Sequence, residues 1–298
     1  MHGLCPEEVT AILELFEAWG DVDRSHRKLA HRGSYLGLVW VSPSTVRRVL
    51  AAHGLVVKRP RRVTHPERKP FPEWADYRKN SLWIYDVTHF RGCPGHAVFA
   101  AMDLVTRKWI CELVSIEETS TQVQVVFMDA LEREELISLV GARQDMPLSD
   151  PLAFANDNEL PPILLAISDN GPQMTSGSTR EFMAMCAIAQ PFGRPGTPTD
   201  QAWIESLFSH IKAEWPHLDR IRDPEVLRSE PAAVRHDYNT VRLHAAIGYV
   251  TPADEHQGHG PRIRAARKRG LRHARWARIT YHQLQQAKAT RPSPNEVA

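Results

Sequence analysis

Cysteine is scarce in this chain and long apolar runs are missing. The four cysteines, Cys5, Cys93, Cys111 and Cys186, are scattered and nowhere spaced as Cys-x-x-Cys, which argues against a disulfide framework and a structural zinc site. Cys93 and His96 fall in one turn, a pair too small to form a ligand set. No segment approaches the roughly 18 apolar residues that a bilayer span requires. The opening residues also lack the basic stretch and apolar run of an export signal. The expectation is therefore a soluble, cytoplasmic protein without a membrane partner. No internal repeat is present, which excludes solenoids and propellers.

Charge is present in nearly equal amounts of both signs, with 37 Lys and Arg against 35 Asp and Glu among 298 residues. The net +2 hides an asymmetry. Lys58 to Lys69 holds six basic residues and one acid, Arg262 to Arg278 holds eight and none, and the remainder carries −11. Two basic arms flanking an acidic body fit either solvated faces or the electrostatic footprint of a nucleic-acid binder.

The first 57 residues read as helices with short turns. Ser42 can cap a helix that Pro43 begins, Val46, Val49 and Leu50 repeat at helical spacing, and Gly54 supplies a left-handed stop. Ser44, Thr45, Arg47 and Arg48 are left on the polar side, residue types suited to a major groove and its phosphates. Residues 58–80 are basic and rich in proline, which reads as a linker, with Lys58, Arg59, Arg61 and Arg62 as candidate phosphate contacts. Beyond it the period shortens. Strands are expected over 82–87, 97–105 and 108–116, a helix over 119–135, an inserted loop over 141–162, a strand over 163–167, and helices over 179–187 and 201–215. That order predicts an α/β fold with a mixed sheet.

Three acids stand out. Asp86 sits in an apolar strand, where a buried carboxylate needs a cation, either an Arg partner or a metal. Asp169 ends a strand before Asn170-Gly171, which is also ordinary turn chemistry. Glu205 and Lys212 lie two turns apart on the polar side of one helix, compatible with solvated residues as well. Two-metal phosphoryl transfer needs hard oxygen ligands converging on two cations about 4 Å apart, and these three acids come from elements that could supply them.

The set Asp86, Ser168-Asp169-Asn170-Gly171-x-Gln173, then Glu205 with 35 residues intervening, then Lys212, resembles the DDE catalytic core of insertion-sequence transposases related to retroviral integrase. Gly196 to Phe208 is similar to the family's Glu-bearing segment. Tyr238-Asn239-x-x-Arg242-Leu243-His244 with Gly248-Tyr249-x-Thr251-Pro252 is similar to its closing motif. The resemblance implies a ribonuclease H-like fold with helices flanking a mixed sheet, preceded by a small all-α helix-turn-helix domain. It also implies two Mg²⁺ or Mn²⁺ ions held by Asp86, Asp169 and Glu205, with Lys212 and Arg242 among the DNA contacts. The expected domains are a helix-turn-helix domain at 1–57, the linker at 58–80, the catalytic core at 81–255 and a basic tail at 256–298.

The activity so implied is 3′-end cleavage and strand transfer of an insertion sequence. Its partners would be double-stranded DNA at element ends and target, further copies in a multimer, and a DNA-binding protein from an upstream reading frame. Such a protein would sit with the nucleoid. Two other classes are a ribonuclease H-like nuclease without strand transfer and a helix-turn-helix regulator. Tyr238 as a covalent nucleophile lacks a surrounding arginine set.

Overall fold

The computed structural model describes residues 3–55, 77–142, 162–168, 171–190 and 202–289, the side chains of 202–206 excepted. The basic linker as far as residue 76 and most of the expected inserted loop lie outside them. In chain order the elements are α1 (Pro6–Trp19), α2 (His26–Tyr35), α3 (Pro43–Ala52), β1 (Leu82–His89), β2 (Ala97–Asp103), β3 (Trp109–Ser115), α4 (Ser120–Arg133) and α5 (Ile137–Gly141). There follow β4 (Leu164–Ile167), α6 (Pro172–Thr175), α7 (Gly177–Met185), β5 (Ile188–Ala189), α8 (Ala202–Glu214), α9 (Pro224–Thr240), α10 (Pro252–His256) and α11 (Gly260–Ala289). Among these, no helix is long and apolar enough to cross a membrane.

The chain forms two compact units, one of Val63–Val241 and one of Met1–Arg62 with Arg242–Ala298. Among the described residues of the first, a five-stranded sheet runs β3-β2-β1-β4-β5. The β1, β2 and β3 strands form an antiparallel meander, while β4 pairs parallel with β1 and β5 parallel with β4. Three antiparallel strands followed by parallel ones, with β4 laid against β1, is the ribonuclease H-like arrangement. Alternation along the strands sorts side chains to two faces. Leu82, Ile84, Val98, Ala100, Met102, Leu165 and Ile167 share a core with Leu207, Phe208 and Ile211 of α8 and Leu227, Val234 and Tyr238 of α9. Trp83, Tyr85, Phe99, Ala101, Leu164 and Ala166 pack on the other side against α4, α6 and α7.

The second unit gathers α1, α2 and α3 around Ile12, Leu15, Leu29, Val39, Val46 and Leu50. The Ser42 hydroxyl accepts from the Thr45 amide, and Gly54 adopts φ 72°, as the residue pattern required. Between α1 and α2 the Arg32 guanidinium is buried against Asp23 at 2.7 Å and lies 4.2 Å from the centroid of the Trp19 ring. The unit also takes in Arg242 to Glu255, within the expected core at 81–255, and the residues after them, the expected basic tail at 256–298. A segment belongs where its polar and apolar groups find partners. Here Tyr35 hydrogen-bonds Asp254, Arg267 reaches Ser34 and Arg278 forks onto Glu8 at 2.8 Å through both nitrogens.

Candidate active site and nucleic-acid surface

Asp86 lies in the body of β1, paired with Ala100 of β2. It is half-buried rather than sealed in the core, and its Oδ1 accepts from the Val87 amide at 2.7 Å. By the alternation of the strand it falls with Leu82 and Ile84, on the face that α8 and α9 cover. The parallel ladder pairs Ile84 with Ile167, the last residue of β4. Asp86 is two positions beyond the first of these and Asp169 two beyond the second. Asp169 itself lies outside the described residues.

Position 205 is within α8, whose backbone is helical from Ala202 to Glu214, although its side chain is among those not described. Leu207, Phe208 and Ile211 anchor this helix on the β1 face. Lys212 is half-buried, with its Nζ 5.6 Å from the centroid of Phe90. Phe90 directly follows β1, so the ammonium is held at the end of the strand that bears Asp86, by a cation–π contact that no spacing in the sequence announced. Residues 205 and 212 differ by about 20° around the helix axis and by two turns along it. Both positions therefore belong to one side of α8. Among the described residues no three His, Cys, Asp or Glu side chains are grouped as a metal site, and two of the three expected ligands are not among them.

Other residues of the recognised motifs serve the fold. Tyr238 is 2% exposed and its hydroxyl donates to the Met102 sulfur at 3.7 Å, which removes it as a nucleophile. Asn239 accepts from the Trp109 amide at 2.9 Å and donates to the Trp109 carbonyl at 2.8 Å, tying α9 to the edge strand β3. Thr251 caps α10, and Gly248 takes φ 77°, a value that favours glycine. Arg242, expected among the DNA contacts, is buried at 6% exposure. The buried thiols are not reactive groups: desolvation raises Cys111, and it pushes Cys186 up to about 11. Cys93 is buried and donates to the Ile221 carbonyl at 3.2 Å.

In the helical unit, Ser44, Arg47 and Arg48 are exposed on α3 and Thr45 is half-buried. Arg48 donates to the Thr45 hydroxyl at 3.3 Å, which aligns the two along the polar face of the helix. Lys58, Arg59, Arg61 and Arg62 lie outside the described residues. The basic residues of α11 were not among the expected contacts, because a run of like charges fits a solvated face as readily as a nucleic-acid binder.

Residues 187–252 match the integrase core domain family. Over 119 residues the chain is 27% identical to a transposase for insertion sequence element IS904 from Lactococcus lactis, a match covering 39% of this chain and 47% of that one. Over 87 residues it is 29% identical to an uncharacterized 31.7 kDa protein of insertion element IS407 from Burkholderia multivorans, covering 29% of this chain and 31% of the other. The chain thus spans less than half the length of these curated relatives. The catalytic core domain of BIV integrase superposes with a TM-score of 0.39 at 19% identity, over 60% of this chain and 95% of that one. Alongside its ribonuclease H-like sheet, the chain is thus similar to the integrase core domain family over residues 187–252 and to proteins of insertion sequences over the stretches given.

Proposed function

We propose that the protein is a DNA transposase that cleaves the 3′ ends of an insertion sequence and joins them to target DNA. The observation that supports this most is the shared sheet face: Asp86 lies where α8 packs, beside the strand that runs out two residues before Asp169. Three carboxylates brought there would be hard oxygen donors, a chemistry that fits divalent cations and no other common cofactor. Asp86, Asp169 and Glu205 would hold two Mg²⁺ or Mn²⁺ ions, whose Lewis acidity would offset charge developing on the scissile phosphate.

The chain's own residues do the rest. Lys212, fixed over Phe90, places a positive charge at the strand end where a phosphate would sit. The reaction is an in-line displacement. A water oxygen, and in the second step the freed 3′-hydroxyl, bonds to phosphorus as the bond to the leaving oxygen breaks, and no protein side chain enters a covalent bond. The α3 helix would engage the element end through Ser44, Thr45, Arg47 and Arg48, with Lys58, Arg59, Arg61 and Arg62 on adjacent phosphates. Two ends must be joined in one event, so the working form is a multimer on DNA, in the nucleoid, with room for a DNA-binding partner from an upstream frame.

The test is a strand-transfer assay with a labelled, pre-cut element end taken from the DNA flanking the gene, a target plasmid and Mg²⁺ or Mn²⁺. Wild-type protein should yield joined product, and Glu205→Gln should reduce it to background while DNA binding persists. Metal-dependent cutting without joining would instead identify a nuclease, and binding without either reaction a regulator.

A further inference from the structure

One strip of α11 is held against the N-terminal helices. Arg267 donates to the Ser34 hydroxyl at 3.0 Å and to the carbonyls of Gly248 and Tyr249 at 2.8 and 2.7 Å. Arg278 donates to Glu8 and, at 2.7 Å, to the Trp40 carbonyl, two residues before the cap of α3. Between these anchors a Cβ at Gly270 would meet the Trp40 indole nitrogen at 2.1 Å, so only glycine permits the approach. Residues 267, 270 and 278 fall within an arc of about 80° on a helix, and the opposite side of α11 is therefore fixed in direction.

That opposite side is cationic. Arg262, Lys268, Arg269, Arg272 and Arg275 are exposed and share an arc of about 140°. No acid occurs between Arg262 and Arg278 to pair with them along the helix. Holding five like charges in a rigid row is unfavourable through self-repulsion, and a polyanion relieves it. From Arg262 to Arg275 the row is about 20 Å long, a length over which duplex DNA presents about a dozen phosphate charges. Trp276 is 69% exposed beside the row, but a single aromatic is neither the stacking series that single strands require nor the continuous apolar arc that a bilayer interface requires.

We propose that the outer face of α11 is a second DNA contact, which tracks the phosphates of the duplex that α3 engages and adds affinity without reading sequence. It rests on the reading of the helical unit as DNA-binding. Arg278 ties α11 to the α2–α3 turn through the Trp40 carbonyl, so both elements belong to one helical unit.

The experiment uses the full chain and a labelled 30-base-pair duplex of arbitrary sequence, followed by fluorescence anisotropy as salt is raised from about 50 to 200 mM. In the triple variant Lys268→Gln, Arg272→Gln, Arg275→Gln, the slope of log affinity against log salt should become shallower by about 2.7, near 0.9 for each lost phosphate contact. The loss should be equal for duplexes of unrelated sequence. Lys substitution at Arg272 and Arg275 should keep the wild-type slope, which separates lost charge from lost folding. An unchanged slope in the triple variant, with binding weakened by Arg47→Gln and Arg48→Gln, would overturn the proposal and leave the α3 reading standing. Wild-type DNA binding in both sets would overturn the two together. Tighter, charge-dependent binding to anionic phospholipid vesicles than to DNA would reassign the face to a membrane surface.

Discussion

His31 carries a consequence of burial that is measurable in solution. Its ring stacks on Tyr249 with centroids 4.1 Å apart. Desolvation, with the Arg267 charge as a second cause, pushes its pKa down to about 4. In the unfolded chain the same imidazole titrates near 6.5. Between those values the unfolded state holds a proton that the folded state lacks, so stability is greatest above pH ~6.5 and declines as pH falls toward ~4. A His31→Phe variant keeps an aromatic stack and cannot titrate. Its melting temperature should depend less on pH over that window than that of the wild type, and parallel curves would show that His31 is not the group responsible. Single residues also mark the limit of motif reading. Tyr238, Asn239 and Arg242 lie in a recognised motif, yet Tyr238 and Asn239 hold α9 to the sheet and Arg242 is buried. A motif reports which residues accompany an activity, and only the location of their partners separates chemistry from support.

At the scale of elements, α3 was legible because its cap, first-turn proline, apolar spacing and stop glycine all point to one answer. The α9 helix carries similar signals in Asp223 and Pro224, but Pro231 inside it conceals the periodicity. The α11 helix was hidden for another reason, since its charges repel and its stability comes from contacts with α1 and α2 far away in sequence. Gly270 tests that contact. Ala is favoured over Gly in a helix by about 1 kcal/mol, which would make Gly270→Ala stabilising at an open site. Here the new Cβ overlaps Trp40, and overpacking costs about 1–3 kcal/mol. The substitution should lower the urea midpoint, whereas a raised midpoint would mean that the indole does not pack on the helix.

At the scale of the whole molecule, the helical unit is built from both ends of the sequence. Deleting residues 258–298 should therefore expose amides near the start of the chain. Hydrogen exchange over 26–52 should accelerate in the truncated protein, while the sheet residues 97–115 keep their protection. Unchanged exchange in 26–52 would show that α11 contributes nothing to that unit. The strands β1 to β4 were readable because period-2 segments, turn residues and a change to period 3.6 are local properties. Which strand lies beside which is not local. The parallel pairing of β4 with β1 joins residues about 80 positions apart, and no nearest-neighbour preference encodes it. The sequence by itself determined the three acids, the capped α3 and the separation of charge, since residue identity and short-range periodicity suffice for these. The tertiary structure decided that Asp86 and α8 share one sheet face, that Lys212 rests over Phe90, and that the basic C-terminal segment is a braced helix. Those outcomes depend on which distant surfaces bury one another, and burial is settled only when the chain has packed.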